Sequence, residues 1–583
     1  MLFTAPPADD HPPATDAPER AHLALPWQAE RDERTDEEGP LDEEEEADFT
    51  PALLRIAAIA GLGGLLFGFD TGVVSGALLV IRSDLGGAPL TLAQESWLVT
   101  SALVGALGGS IAANRMADWR GRKPVIVGAA VLFAVGALEQ AAAQVFKEVI
   151  FGRILVGIAV GLASMTLPVY LAEISPAALR GRLVASNVVF VTGGQVVAYL
   201  VDAVFYNVPS GWRYMFGFGA VPPVVQLCLS FSMPESPRFL LQRGKFAQAR
   251  KTLQQLHPKA STAAVQRKIE AIQAELGDEP GRGRREAGAR ESKVDQLGTL
   301  WRDRANRRAL VVAVGLQAFA QLSGFNSLMY FSGKIIALTH LSQPAAFACF
   351  VSVSNFLSTL VALRLVDRLG RRTLLLRTLV GMVVGMSLLA VSFVFMPGGE
   401  AQSQVGEVVV RAAGQGPNAW AFVSLLGIVI FCCSFALGLG NLAWVVQSEV
   451  FNQDLRALGN GIATAVCWLC NLTISATFLY ISKALTPAGA FGLYAVIAAV
   501  GWGFTYRYVP ETKGLTLDEV RAVFEREVGM APHLSSPGAS AGSAGASAGA
   551  RGYHVLEAEE EGGSEEESDE REEDGNDGRT VQQ

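Results

Sequence analysis

Twelve apolar runs of about 20 residues, the length that crosses the hydrocarbon of a bilayer, can be set along the chain. They fall at 53–80, 97–113, 124–146, 150–171, 184–205 and 214–233, then at 309–336, 345–366, 373–396, 419–446, 458–481 and 490–508. We number them spans one to twelve. Such continuous runs predict helices set in lipid, where each backbone group must be paired within its own segment. The polar stretch 234–308 between the two sets is rich in Lys, Arg, Glu and Gln. Within it, Arg238–Leu256 and Thr262–Leu276 have helical apolar spacing and predict short amphipathic helices, with Gly277 to Glu291 as a flexible connection.

Composition agrees with this pattern and removes one class of answer. Half of the 583 residues are apolar and 18% are charged, against about 25% charged in ordinary soluble domains, so a string of soluble cores is excluded. The net charge of −9 conceals a partition. Residues 1–50 carry 16 acidic and 3 basic side chains, 531–583 carry 13 and 3, and the stretch between is left at net +14. The tails have too little apolar surface to offset the entropy of folding and predict disorder. The expected organisation is an acidic tail at 1–50, a six-helix half at 51–233, a helical linker at 234–308, a second six-helix half at 309–509, a helix within 510–530 and an acidic tail at 531–583.

Basic residues cluster in the links after even-numbered spans: Arg115, Arg120, Arg122 and Lys123, then Arg180 and Arg182, then Arg364, Arg368, Arg371 and Arg372. Positive charge stays in the cytoplasm, which puts both ends of the chain there. Residues 1–49 lack a positive start followed by an apolar stretch, so the first export signal is expected to be a retained helix. The six cysteines sit inside apolar runs, and neither a disulfide framework nor a metal site is expected.

Repetition decides the architecture. Asn-Arg-Met-Ala-Asp-Trp-Arg-Gly-Arg-Lys at 114–123 returns as Leu-Arg-Leu-Val-Asp-Arg-Leu-Gly-Arg-Arg at 363–372. Glu173 and Arg180 return as Glu449 and Arg456, and Pro-Glu-Ser-Pro-Arg at 234 answers Pro-Glu-Thr-Lys-Gly at 510. Two homologous six-helix halves follow, of the kind that rock about a site at mid-depth to give alternating access. No Gly-x-x-x-x-Gly-Lys-Ser/Thr loop occurs, which argues against a pump driven by ATP.

Three groups of residues carry candidate chemistry. In span one, Gly64, Gly68, Gly72 and Gly76 form a stripe for close helix packing, and Asp70 points away from it toward the expected cavity. A carboxylate at membrane depth costs at least about 2.5 to 3.5 kcal/mol and is a functional candidate. Its expected partner is Arg153 in span four. Burial and the guanidinium pull this carboxyl in opposite directions, and arginine keeps its own proton. Separating the pair would therefore make Asp70 take up a proton and rejoining it would expel one; the alternative is a static pair that holds two spans together. A second group, Asp118, Arg122, Glu173, Arg180, Asp367, Arg371, Glu449 and Arg456, suits salt bridges between the halves when the cytoplasmic side is shut, or simply fixes topology.

The third group is uncharged. Span seven holds Gln317, Gln321, Ser323, Gly324, Asn326, Ser327 and Tyr330, and Gly324 beside Asn326 predicts a local break. Gln195, Asn441, Trp444, Trp468 and Asn471 come from spans five, ten and eleven. Amides with flat aromatic faces suit a neutral polyhydroxylated ligand, with Gln195, Gln321, Asn326, Tyr330, Trp444 and Asn471 the candidate contacts. Amides that bridge helices are the alternative.

These patterns resemble the sugar porter family of the major facilitator superfamily over nearly all of 51–525. The resemblance rests on Gly-Gly-x-x-x-Gly-Phe-Asp at 63–70, Asp-x-x-Gly-Arg-Lys/Arg after spans two and eight, and Gly-Arg at 152–153. It rests further on Pro-x-Tyr-x-x-Glu-Ile-x-Pro at 168–176, Pro-Glu-Ser-Pro-Arg at 234–238, Gln-x-x-Gly-x-Asn at 321–326 and Pro-Glu-Thr-Lys-Gly at 510–514. Within the family, 321–333 and 440–449 are most similar to fungal myo-inositol/proton symporters. The resemblance implies that Gln195, Gln321, Asn326, Tyr330 and Trp444 contact substrate and that Asp70 with Arg153 handles the proton. The chain departs from family habit at Ala320 and Cys467, where amides are frequent, and at Gly219, where a bacterial xylose/proton symporter has a second acid.

The expected function is therefore import of a neutral polyol, myo-inositol first, with a proton as coupling ion, by a plasma-membrane protein that works as a monomer. It is expected to be no enzyme and to need no cofactor, metal or nucleic acid. An uncoupled hexose carrier and a sensor that binds sugar without moving it are the alternatives.

Overall fold

Ordinary caps set where the helices begin. Thr50 accepts a hydrogen bond from the Leu53 amide at 3.2 Å with Pro51 in the first turn, and Pro51–Val80 forms span one. Thr91 and Gln94 make a reciprocal capping box, with Thr91 N donating to Gln94 Oε1 at 2.8 Å. This starts span two at Leu92, five residues ahead of the apolar run, and draws Glu95 and Ser96 into the helix. The computed structural model describes residues 50–525 apart from 82–83, 86–88, 177–178, 259, 277–292, 340, 342, 397–417, 452 and 516. Both acidic tails and the Gly277–Glu291 connection lie outside the described residues.

Among the described residues, ten helices are long and apolar enough to cross a membrane. Two further crossings hide in the others. Gly211–Phe218 and Val221–Ser230 are each short, but together they make span six, broken just before Pro222 and Pro223, which lack the amide a helix needs. Gln453–Tyr508 is two spans joined at Thr486, whose φ of +62° is non-helical. Twelve crossings result. The remaining spans are Leu92–Arg120, Arg122–Ala142, Phe146–Ile174 and Arg180–Phe205 in the first half, and Arg304–Ala337, Pro344–Leu369, Arg371–Phe395 and Ala419–Glu449 in the second. Span seven is broken after Leu322 and again after Tyr330, and span ten is broken at Gly438.

Lipid offers no hydrophobic drive between helices, so backbones must approach closely. Span one packs on span five along its glycine stripe. A Cβ on Gly68 would sit 1.7 Å from the Val191 carbonyl oxygen, a distance no side chain can hold.

Both described ends of the chain and the central helices share one face. Thr50 Oγ donates to the Leu256 carbonyl at 3.2 Å, Arg243 to those of Asp118 and Trp119 at 3.1 and 2.6 Å, and Arg308 to that of Phe524 at 2.8 Å. We call this the terminal face. The stretch 238–256, expected as one helix, is two, Pro237–Gln242 and Phe246–Leu256, because Gly244 turns the chain at φ +70°. Leu240, Leu241, Ala249, Leu253, Val265 and Ile269 form a small core of their own there.

The halves touch toward the opposite face. Ser75 and Ser332 hydroxyls lie 2.9 Å apart, the Gly333 amide donates to Ser75 Oγ at 2.8 Å, and Tyr199 Oη donates to the Met329 carbonyl at 2.7 Å. Ser96 Oγ donates to the Ala476 carbonyl at 3.1 Å. Each of these joins one half to the other in the part of the helices remote from the terminal face. The ion pairs of the terminal face, by contrast, stay within a half: Arg122 with Glu173 at 2.9 Å, Arg371 with Glu449 at 3.0 Å. The molecule is shut on the far side.

Candidate functional site

The charge pair expected from the sequence is present. Arg153 from span four donates to Asp70 of span one and, through Nε, to the Leu98 carbonyl of span two at 3.0 Å. Arg153 is 1% exposed, so both charges rely on each other rather than on water. Tyr330 from the second half is buried close enough for its hydroxyl to feel both charges. The first half thus owns both charges. Relative movement of the halves changes what the carboxylate sees.

Next to this pair lies the uncharged group. Gly324, at φ +86°, breaks span seven where expected and restarts it at Phe325. The break brings Asn326 Nδ2 to 2.5 Å from Gln321 Oε1, while Gln321 Nε2 donates to Cys467 Sγ at 3.1 Å. Gln195 accepts from Asn355 at 3.2 Å, linking spans five and eight. Trp468 is buried, tilts against Phe67 of span one at 5.7 Å between ring centroids, and has no partner for its indole N–H among the described residues. Trp444 is exposed. Asn471 is buried and accepts from Ser475 at 3.2 Å. In this conformation Gln195, Gln321 and Asn326 satisfy one another and their neighbours, so a ligand would have to exchange for those bonds.

Two of the amides do other work. Gln317 is fully buried and donates to Gln447 at 2.7 Å, and Gln447 donates onward to Asn460 and Thr464. Asn441 donates to the Ala436 carbonyl at 2.6 Å across the Gly438 break. Both bridge helix backbone or helices, the second of the two readings open from sequence.

Of the eight terminal-face residues, Asp118, Arg122 and Glu173 in the first half and Arg371 and Glu449 in the second form a clamp built twice. Gly121 at φ +102° and Gly370 at φ +85° end spans two and eight. The next helix then begins on a carboxylate: Glu235 accepts from the Arg122 and Lys123 amides at 3.0 and 3.2 Å, Glu511 from those of Arg371 and Arg372 at 2.7 and 3.1 Å. An anion at a helix N-terminus is stabilised by the unpaired amides there. Arg122 reaches Asp118 at 3.9 Å besides Glu173; the side chain of Asp367 lies outside the described residues. Glu449 also accepts from Thr512 at 2.7 Å.

The salt bridges between halves expected for a shut cytoplasmic side are not what these residues make here, because Asp118, Glu173 and Glu449 are each taken by the arginine of their own half. Arg180, exposed, and Arg456, half-buried, belong to opposite halves, and the charge of one acts on the other. Burial and then the charge of Arg180 press the Arg456 guanidinium below its usual pKa. Like charges across the gap favour keeping this face apart. Sequence reasoning missed Glu95 and Lys334, an ion pair between spans two and seven, and Asp202, buried in span five and accepting from the Gly76 amide at 3.0 Å.

Comparison with known proteins agrees with this geometry. Residues 56–524 match the family model described as "Sugar (and other) transporter". The chain belongs to the sugar transporter family. Its members are transporters rather than enzymes, as expected from the sequence. The chain is 40% identical over 494 residues to myo-inositol transporter 1 of Cryptococcus neoformans var. grubii, covering 85% of each chain. It is 33% identical over 552 residues to the human proton myo-inositol cotransporter, covering 82% of this chain and 83% of that one. In structure it is similar to the xylose transporter XylE from E. coli in a partially occluded inward open conformation, with a TM-score of 0.65 at 28% identity over 80% of this chain and 100% of that one.

Proposed function

We propose that the protein imports a neutral polyol, myo-inositol in the first place, together with a proton across the plasma membrane by alternating access. The observation that carries the coupling is the Asp70–Arg153 pair, buried among the apolar spans of one half. Tilting the halves opens the carboxylate to one side at a time and lets it exchange a proton there, while Arg153 stays charged. The substrate follows from the uncharged hydrogen-bonding group of Gln195, Gln321, Asn326, Tyr330, Trp444 and Asn471, and from relatives named for myo-inositol.

The basic links lie on the terminal face, which makes that face cytoplasmic and the described conformation inward-facing. Site, pair and clamp are complete in one chain, so a monomer suffices. At 100 mV a proton carries about 2.3 kcal/mol, enough for a gradient of roughly fiftyfold.

Radiolabelled myo-inositol uptake in transport-deficient cells, at several external pH values and in competition with glucose, tests this. Uptake is expected to rise as external pH falls and to resist excess glucose. Uptake of glucose without inositol would defeat the substrate, and pH-independent uptake would defeat the coupling.

A further inference from the structure

The contacts that join the halves on the far side include one that differs in kind from the serines and carbonyls around it. Lys334, in the last segment of span seven, forms an ion pair with Glu95, in the first turn of span two. Both residues are 7% exposed, and Glu95 Oε2 has no hydrogen-bond partner among the described residues. One turn of helix therefore meets the second half through two adjacent residues, since Ser96 bonds span eleven.

We infer that Glu95 and Lys334 form the ionic latch of the outer gate, a positioning pair that sets how often the carrier opens outward. The inference rests on the inward-facing orientation given under the proposed function. A buried ion pair contributes little net stability, because desolvation offsets most of the attraction, and removal of one member leaves a costly unpaired charge. Such a pair is poorly suited to holding a fold together and well suited to a contact that must break in every cycle. Closed, the two charges compensate each other; open, water solvates each. The two states then lie close in energy, as alternating access requires. Alternating access obliges this contact to part, since it crosses between rocking halves, whereas the Asp70–Arg153 pair lies within one half.

Cys467, buried beside Gln321 at mid-depth, is a native reporter of outward opening. In intact cells carrying a variant whose other five cysteines are replaced, a membrane-impermeant charged thiol reagent added outside reaches Cys467 only when the outer gate is open. Glu95→Gln and Lys334→Thr are each expected to raise the labelling rate roughly tenfold, within the range of ordinary conformational coupling. The charge swap Glu95→Lys with Lys334→Glu, and the double neutral variant Glu95→Gln with Lys334→Gln, are expected to bring it back near the parent rate. Labelling at the parent rate in both single variants, at parental surface amounts, would overturn the latch. So would raised labelling that neither double variant lowers. Should the single variants fail to reach the surface, a swap variant that labels much faster than the double neutral one would do the same. Labelling does not depend on what is carried, so this result stands apart from the inositol uptake test.

Discussion

Spans one and seven occupy the same place in the two halves and carry the same three-residue phrase with one change: Gly68-Phe69-Asp70 in the first, Gly324-Phe325-Asn326 in the second. Span one stays helical through it, and its glycine lets span five approach closely. Span seven breaks there, with its glycine in the left-handed region. The acid meets an arginine and the amide meets another amide. From one inherited segment, the first half supplies a straight helix with a charge that can move a proton, and the second a broken helix with uncharged hydrogen-bonding groups. Division of labour between the halves thus comes down to one atom, oxygen or nitrogen, at the same position of a repeat.

Asp70→Asn erases that difference and is expected to have the largest effect. The amide fills the same volume and still accepts a hydrogen bond from Arg153 but leaves its charge uncompensated, a loss of about 3 to 5 kcal/mol, so transport is compared at equal surface amounts, and the amide cannot release a proton. Accumulation should fall from roughly fiftyfold to simple equilibration, while exchange of inside for outside label continues. Counterflow in loaded vesicles checks both parts, and concentration against a gradient by this variant would refute proton handling at Asp70.

The terminal-face clamp is where the halves stay alike, and it sharpens the contrast. Glu235→Gln and Glu511→Gln each weaken a carboxylate that holds successive amides, a loss of about 1 to 2 kcal/mol. Transport rates should drop roughly tenfold by this arithmetic, and by similar factors in the two variants. An effect confined to one half would show that the repeat is shared in shape only.

Much of this was legible because it depends on local pattern. Run length placed the twelve spans, the repeated Asp-x-x-Gly-Arg phrase located both clamps, and charges inside apolar runs marked Asp70 and Arg153. Glu95 escaped because hydropathy starts span two at 97, whereas a capping box starts it at 92. Lys334 stood in an apolar run with its partner in another half of the chain, and only the packing of span seven on span two brings them together. Asp202 lies three residues from the end of its apolar run, and only the packing of span five on span one brings it the Gly76 amide. Periodicity also could not foresee which half each terminal-face arginine would serve, since that choice is made by packing between segments far apart in the chain.

Arg180 and Arg456 take one residue from each half. Arg180→Glu replaces repulsion with attraction across the terminal face, where partly exposed pairs are worth up to about 1 kcal/mol. The ratio of inward-facing to outward-facing carriers should fall several-fold, and outside labelling of Cys467 should rise by up to that factor. Arg180→Gln should do about half as much on a free-energy scale, and equal labelling in parent and both variants would remove these arginines from the gate.

The smallest expected effect separates the two uses of glutamine within span seven. Gln321 lies at the break, bonded to Asn326 and Cys467, and Gln317 lies one turn earlier, bonded to Gln447. Hydrogen bonds between helices in lipid are worth about 0.6 kcal/mol on average. Gln447 keeps the bonds its Nε2 donates to Asn460 and Thr464 when Gln317 is replaced, but its buried Oε1 loses the Gln317 donor, so Gln317→Leu should cost more than that average, about 1 to 2 kcal/mol. In a chain of this size such a loss lowers the melting temperature by about 1 to 2 °C and should leave the KM for inositol unchanged. Gln321→Leu should instead raise KM roughly tenfold at similar stability, since one lost hydrogen bond to a polyol is worth about 1 to 1.5 kcal/mol. If both substitutions moved KM equally, the amides of span seven would form one surface, and the division drawn here between the amide that bridges and the amide that binds would have to be given up.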